Sequence, residues 1–271
     1  MNIDKIKLGF IGAGNMASAI LKGVLKTNLV KADNIYISDP DKQRLSHLKN
    51  ETGINEMQSN IDVLKMSDII VLAVKPNIYS IVLKELSSQN NIENKILVSI
   101  APGISIEYIK SFFNTDIKVI RTMPNTPAQI GEGMTVLCYL PPVTEEEYNV
   151  VRSIFGSIGK VELIDEKYMN AAVAVNGSSP AYVYMMIEAM ADAAVMRGIP
   201  RSTAYRLAAQ SVAGAAKMVL ETGKHPGELK DMVCSPGGTT IQAVYQLEKS
   251  GFRASLIEAM ERCTEKANQM S

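Results

Sequence analysis

The chain is short of the groups that most often carry metal, disulfide or triad chemistry. It has no tryptophan, two histidines (His47 and His225) and three cysteines (Cys138, Cys234 and Cys263). Without a Cys/His cluster at ligand spacing, no metal site is expected. The cysteines are far apart and odd in number, which fits a reduced cytoplasmic chain better than a disulfide framework. Net charge is absent too: 28 basic residues balance 28 acidic ones. A nucleic-acid or anionic-membrane surface needs clustered positive charge, so neither partner is expected. Long apolar runs are missing. The stretch Ile69-Ile70-Val71-Leu72-Ala73-Val74 is far too short to span a bilayer. The N-terminus runs through Asp4, Lys5 and Lys7 without the apolar core of a signal peptide.

What is present is a change of pattern along 271 residues. Short apolar strands are expected at 7–11, 35–38, 69–74, 96–100 and 119–123. Helical patterns lie between them at 17–25, 41–49, 79–86 and 106–113. Continuous apolar strands separated by helices predict a parallel sheet covered on both faces. A strand at 134–139, a helix at 145–155 and a strand at 160–163 complete this layer. Beyond Asp165 the strands stop, and helices are expected at 166–174, 181–197, 201–220, 226–232, 240–249 and 253–270. The spacing therefore predicts an α/β Rossmann-type domain over 1–164 and an all-α domain over 165–271. The second is crowded with Ala, Gly and Met, which suits close helix packing and a partner subunit that completes the core.

Two glycine-rich helix starts carry the chemistry. Gly12-Ala13-Gly14-Asn15-Met16-Ala17 follows the first strand and opens a helix. This is the G-x-G-x-x-A form of the dinucleotide fingerprint, with Gly12 for the turn, Gly14 for the pyrophosphate and Ala17 for helix packing. The second strand ends at Ser38-Asp39. Asp39 there can bind the adenosine ribose and favour NADH, or it can cap the next helix; Ser38, Lys42 and Arg44 can instead surround a 2′-phosphate. NADPH or NADH therefore both fit. Further strand ends, Ala73-Val74-Lys75-Pro76 and Ala101-Pro102-Gly103, face the same crevice. Lys75 reads as a solvated loop charge or a catalytic amine.

The other start is Ser235-Pro236-Gly237-Gly238-Thr239-Thr240. A helix opening on adjacent glycines presents free N–H groups and the positive end of its dipole, a seat for a small anion. Thr240 can serve chemistry there or simply cap the helix. Two anion seats in one chain imply a cofactor and an acidic small-molecule substrate.

In order, Gly12–Ala17, Ala73–Pro76, Pro124-Asn125-Thr126-Pro127, Ser178-Ser179-Pro180-Ala181-Tyr182 and Ser235–Thr240 resemble the pyrroline-5-carboxylate reductase family. The likeness covers nearly the whole chain. It implies reduction of L-1-pyrroline-5-carboxylate to L-proline, the last step of proline biosynthesis, by a homodimer or higher homo-oligomer with interleaved helical domains. It also implies that Ser235, Gly237, Gly238, Thr239 and Thr240 hold the substrate, with Thr240 near the ring nitrogen, and that Asn60 reaches the cofactor ribose. Ser179 stands where the family commonly has glycine. A β-hydroxyacid dehydrogenase would share the two-domain plan but uses a helix lysine, and residues 181–197 contain none.

Overall fold

The structure is a computed structural model that describes residues 5–90 and 92–269. Asp4, and Met270 at the end of the last expected helix, lie outside these. The chain forms two compact units: residues 1–178 with 263–271, and residues 179–262.

The first unit is built on one sheet. Its strands are β1 (Leu8–Ile11), β2 (Ile35–Ser38), β3 (Asn55–Glu56), β4 (Ile69–Leu72), β5 (Ile96–Ser99), β6 (Lys118–Met123), β7 (Gly133–Tyr139) and β8 (Gly159–Leu163). Their spatial order is β3-β2-β1-β4-β5-β6-β7-β8. The helices are α1 (Asn15–Lys26), α2 (Lys42–Thr52), α3 (Asn60–Met66), α4 (Tyr79–Ser87), α5 (Ile106–Lys110), α6 (Glu145–Gly156) and the short α7 (Met169–Ala172). One apolar layer contains Phe10, Val71, Val98 and Ile120 with Ile20, Leu45 and Phe155. The other contains Ile11, Leu72, Leu97 and Val119 with Leu64, Leu83 and Ile109. Successive strand residues point to opposite faces, so continuous apolar strands require both layers. The order reverses between β1 and β4, which opens a crevice beyond their carboxyl ends.

Three details depart from the expected pattern. The pair β3 and α3 is additional. The sheet is not wholly parallel: β7 runs antiparallel to β6, because the connection through Thr126–Ile130 is too short for a parallel crossover. The third concerns the boundary after Asp165. The segment up to Ser178 packs within the sheet unit. Arg121, only 3% exposed, bonds to Asn170 at 2.7 Å and pairs with Glu166 at 3.4 Å. Asn176 donates to the Met123 carbonyl at 2.6 Å, and Asn125 donates to that of Asn176 at 3.2 Å. These polar anchors hold the segment, including the π-turn Val173–Gly177, although it is helical as expected.

The second unit contains α8 (Ser179–Val195), α9 (Arg201–Thr222), α10 (Pro226–Val233), α11 (Thr239–Lys249) and most of α12 (Phe252–Gln269). α12 ends in the first unit, where the Cys263 thiol donates to the Ser178 hydroxyl at 3.3 Å. Its buried side chains are alanines, Ala191, Ala204 and Ala208, while Met196, Leu220 and Met185 are 85%, 79% and 70% exposed. Asp192 pairs with Arg201. Among the described residues, no helix is long and apolar enough to cross a membrane.

Candidate active site

The first seat grows directly out of β1. The Gly12 N–H donates to the Ser38 carbonyl and the Ala73 N–H to the Ile11 carbonyl, both at 2.8 Å. Gly12 has φ +100°, and a Cβ there would lie 2.6 Å from the Ala73 carbonyl oxygen. Glycine is needed for both reasons. Gly14 is the N-cap of α1, with φ −69° and ψ −178°, and no side chain caps the helix. A Cβ on Gly14 would meet nothing within 4 Å. The first turn of α1 thus opens onto free space with its N–H groups uncovered. Asn15 and Met16 begin the helix and Ala17 is buried beneath it. This cradle fits a dinucleotide pyrophosphate.

Asp39 is not a helix cap; Asp41 caps α2 by accepting from the Arg44 N–H. Asp39 instead accepts from the Ala13 N–H at 2.7 Å through one carboxylate oxygen. Its other oxygen accepts from the Asp41 N–H at 2.8 Å. It therefore ties the end of β2 to the glycine loop. Ser38, 3% exposed, donates to Asn60 Oδ1 at 2.7 Å. Asn60 Nδ2 in turn donates to Glu85 at 2.7 Å. The structure thus brings Gly12–Ala17, Ser38, Asp39, Asn60 and Ala73 together by direct or successive hydrogen bonds. Glu85 escapes sequence reading because α3 and α4 meet only in three dimensions.

The ends of β4 and β5 are joined by a buried phenol. Tyr79 donates its one proton to the Leu72 carbonyl at 2.7 Å and sits 3.0 Å from the Ser99 hydroxyl. Burial pushes its pKa far up, so it stays neutral. This fixes the take-off points of Ala73-Val74-Lys75-Pro76 and of Ala101-Pro102-Gly103. Ala101 and Gly103 are buried, and Gly103 turns with φ +74°. Lys75 is exposed, as a solvated loop charge would be.

The second seat is described within its own unit. Gly237 turns with φ +68°. Gly238 is the N-cap of α11, with φ −74° and ψ 171°, and no side chain caps the helix. The Gly238 N–H donates to the Ser235 carbonyl at 3.0 Å. Thr239 and Thr240 therefore occupy the first helical turn, and the capping alternative for Thr240 does not hold. Five other helices open on side chains that accept from the first turn, at Asp41, Ser59, Ser105, Thr144 and His225, while α4, α7 and α9 start without a side-chain cap at Ile78, Tyr168 and Pro200. α1 and α11 open on bare glycine instead. Cys138, Cys234 and Cys263 are free thiols, and the described residues contain no group of three or more His, Cys, Asp or Glu able to hold a metal.

Comparison with known proteins supplies the lineage. Residues 166–270 match the model for pyrroline-5-carboxylate reductase dimerisation. Residues 7–103 match that for NADP oxidoreductase, coenzyme F420-dependent. The chain is 49% identical over 265 residues to the pyrroline-5-carboxylate reductase of Escherichia coli (strain K12), covering 98% of each. It is 41% identical over 268 residues to that of Arabidopsis thaliana, covering 99% of this chain and 96% of the relative. Among solved structures, Plasmodium falciparum pyrroline carboxylate reductase with NADP bound is 36% identical with a TM-score of 0.89, covering 99% of both chains. The Coxiella burnetii enzyme is 31% identical with a TM-score of 0.92, again over 99% of both. With full-length relatives at this identity and a helical half that matches the dimerisation model, the chain belongs to the pyrroline-5-carboxylate reductase family.

Proposed function

We propose that the protein reduces L-1-pyrroline-5-carboxylate to L-proline with NADPH or NADH, in the cytoplasm, as a homodimer or higher homo-oligomer. The observation that carries the reading is the pair of helices opened by bare glycine, α1 and α11, in a chain of this family. One seat suits a pyrophosphate and the other a carboxylate. The helical domain of the functional reading spans 165–271.

When bound, the reduced nicotinamide supplies a hydride. Gly12, Ala13, Gly14, Asn15, Met16 and Ala17 hold the pyrophosphate. Ser38, Asp39 and Asn60 serve the adenosine ribose, and Ala73–Pro76 with Ala101 and Gly103 line the crevice. In the other unit, the N–H groups of Thr239 and Thr240 in the first turn of α11 hold the substrate carboxylate, and Gly238, whose own N–H is taken by the Ser235 carbonyl, lets the carboxylate approach the backbone. Ser235 and Gly237 shape the turn. The Thr240 hydroxyl hydrogen-bonds at the ring nitrogen. The protonated imine is already electrophilic: a C–H bond forms, the C=N π bond breaks, and the nitrogen keeps its proton. The residues therefore act by positioning rather than by strong acid catalysis.

The test is oxidation of NADPH and of NADH with racemic pyrroline-5-carboxylate, in the original chain and in Asp39→Ala. Turnover with at least one nucleotide is expected. A folded oligomer inert with both would end the proposal. Asp39→Ala should shift preference several-fold toward NADPH; unchanged discrimination would remove Asp39 as the selector.

A further inference from the structure

The Ser38–Asn60–Glu85 chain has a direction that only one of its members imposes. A serine hydroxyl can donate or accept, and an asparagine amide presents an acceptor at one end and donors at the other. Ser38 alone would therefore tolerate either orientation of the Asn60 amide. The Glu85 carboxylate only accepts. It faces Asn60 at 2.7 Å, so the amide must turn Nδ2 toward α4. Oδ1 is then left toward Ser38, whose hydroxyl donates to it at 2.7 Å. The reverse orientation would set Oδ1 against the carboxylate, two acceptors with no proton between them. Ser38 lies beneath at 3% exposure, while Asn60 and Glu85 are half-buried. Asn60 thus stands between a buried serine and a half-buried carboxylate, with both ends of its amide held.

Resting on the coenzyme seat proposed above, we infer that Glu85 is a positioning residue for coenzyme binding, which locks the orientation of the Asn60 amide without touching the ligand itself. With the amide locked, Asn60 keeps one Nδ2 proton and one Oδ1 lone pair at fixed positions for the ribose. Without an acceptor on α4, the amide can turn over, and donor and acceptor exchange places. The ligand then meets a mismatched pair in part of the population and must select the matching one, which weakens binding. The chemistry takes place at the other end of the coenzyme and is untouched.

Three variants test this in the full-length protein: Glu85→Gln, of similar shape but able to donate as well as accept; Glu85→Leu, which does neither; and Glu85→Leu in an Asn60→Ala background. The dissociation constants of NADH and NADPH are measured by fluorescence titration, KM and kcat by turnover, and folding by thermal melting. Glu85→Leu should raise the coenzyme dissociation constant and KM by at least about twofold, the factor reached when the two amide orientations are equally populated, with kcat unchanged. Glu85→Gln should weaken binding to the same degree, because its amide can donate as well as accept and no longer dictates which end of Asn60 faces α4. In the Asn60→Ala background the leucine substitution should have no further effect. The inference is overturned if Glu85→Leu or Glu85→Gln binds as tightly as the original, or if the loss persists without Asn60. An original chain that binds neither nucleotide would sink both this inference and the functional reading. One that binds and turns over while every Glu85 variant matches it would sink this inference alone.

Discussion

The two glycine-opened helices have N-caps of nearly the same backbone conformation yet differ in what stands behind them. Gly14 and Gly238 share extended caps, at φ −69°, ψ −178° and φ −74°, ψ 171°. Behind α1 lies a finished core: Ala17, Ile20, Leu21 and Val24 are all at 0% exposure. Behind α11 no residue is buried, and its unit exposes a dense set of methionine, leucine and tyrosine side chains. The first seat is supported by its own chain. The second sits on a unit whose apolar surface calls for a second copy, in keeping with the dimerisation model that it matches. Local backbone geometry is thus the same solution used twice, and the difference lies in where the rigidity comes from.

Substitutions can break that comparison, beginning with the strongest. Gly12→Ala puts a Cβ 2.6 Å from backbone, at φ +100°. Strain on the order of 1–3 kcal/mol at the turn itself should abolish coenzyme binding or the fold. Gly238→Ala, by contrast, meets the Ser235 Oγ, a side-chain tip that can turn away, so nucleotide titration and melting should find it near normal. Equal damage from both would erase the distinction. Next, Thr240→Ala should lower turnover about 30-fold, the scale of a lost hydrogen bond to a charged group, while nucleotide affinity is retained. Unchanged turnover would take Thr240 out of the mechanism.

Met185→Glu, at a position 70% exposed in the single chain, should shift sedimentation toward the monomer. Activity should fall by about tenfold or more, since a buried unpaired charge costs several kcal/mol at an interface. Coenzyme binding at the self-supported seat should survive. The smallest effect concerns Glu147, which caps α6 and lies 2.6 Å from Lys118. Burial raises its pKa, but hydrogen bonds from Lys118 and the Thr144 backbone outweigh this and leave the carboxyl below its ordinary range. A lowered folded value stabilises above the unfolded value of about 4.3 and loses that contribution as pH falls through the folded value. Glu147→Gln should therefore melt earlier near neutrality, by about 1 kcal/mol at most, with the gap closing in acid.

Most of this layout is written in local sequence. The apolar strands, the Gly12–Ala17 turn and the glycines before Thr239 announce themselves, because each rests on residues adjacent in the chain. β3 is two residues long and α3 seven, too short for a period to register. The reversal of β7 follows from a connection length rather than a pattern. Asn60 becomes legible only through the family, and Glu85 only through folding, since its partner is 25 residues away. The same holds for Thr240: whether it caps α11 depends on two residues of register, which composition does not fix.

The crossing near Ser178 and Cys263 has a consequence for the molecule's architecture. The chain leaves the sheet unit after Ser178 and returns at Cys263, and the side chains of these two residues are 3.3 Å apart. Topologically the helical unit is a cassette inserted at a single doorway, with entry and exit side by side. A short bridge across that doorway would leave the sheet unit's own course uninterrupted, so swapping cassettes between relatives asks for two adjacent splices and no rerouting of the coenzyme half.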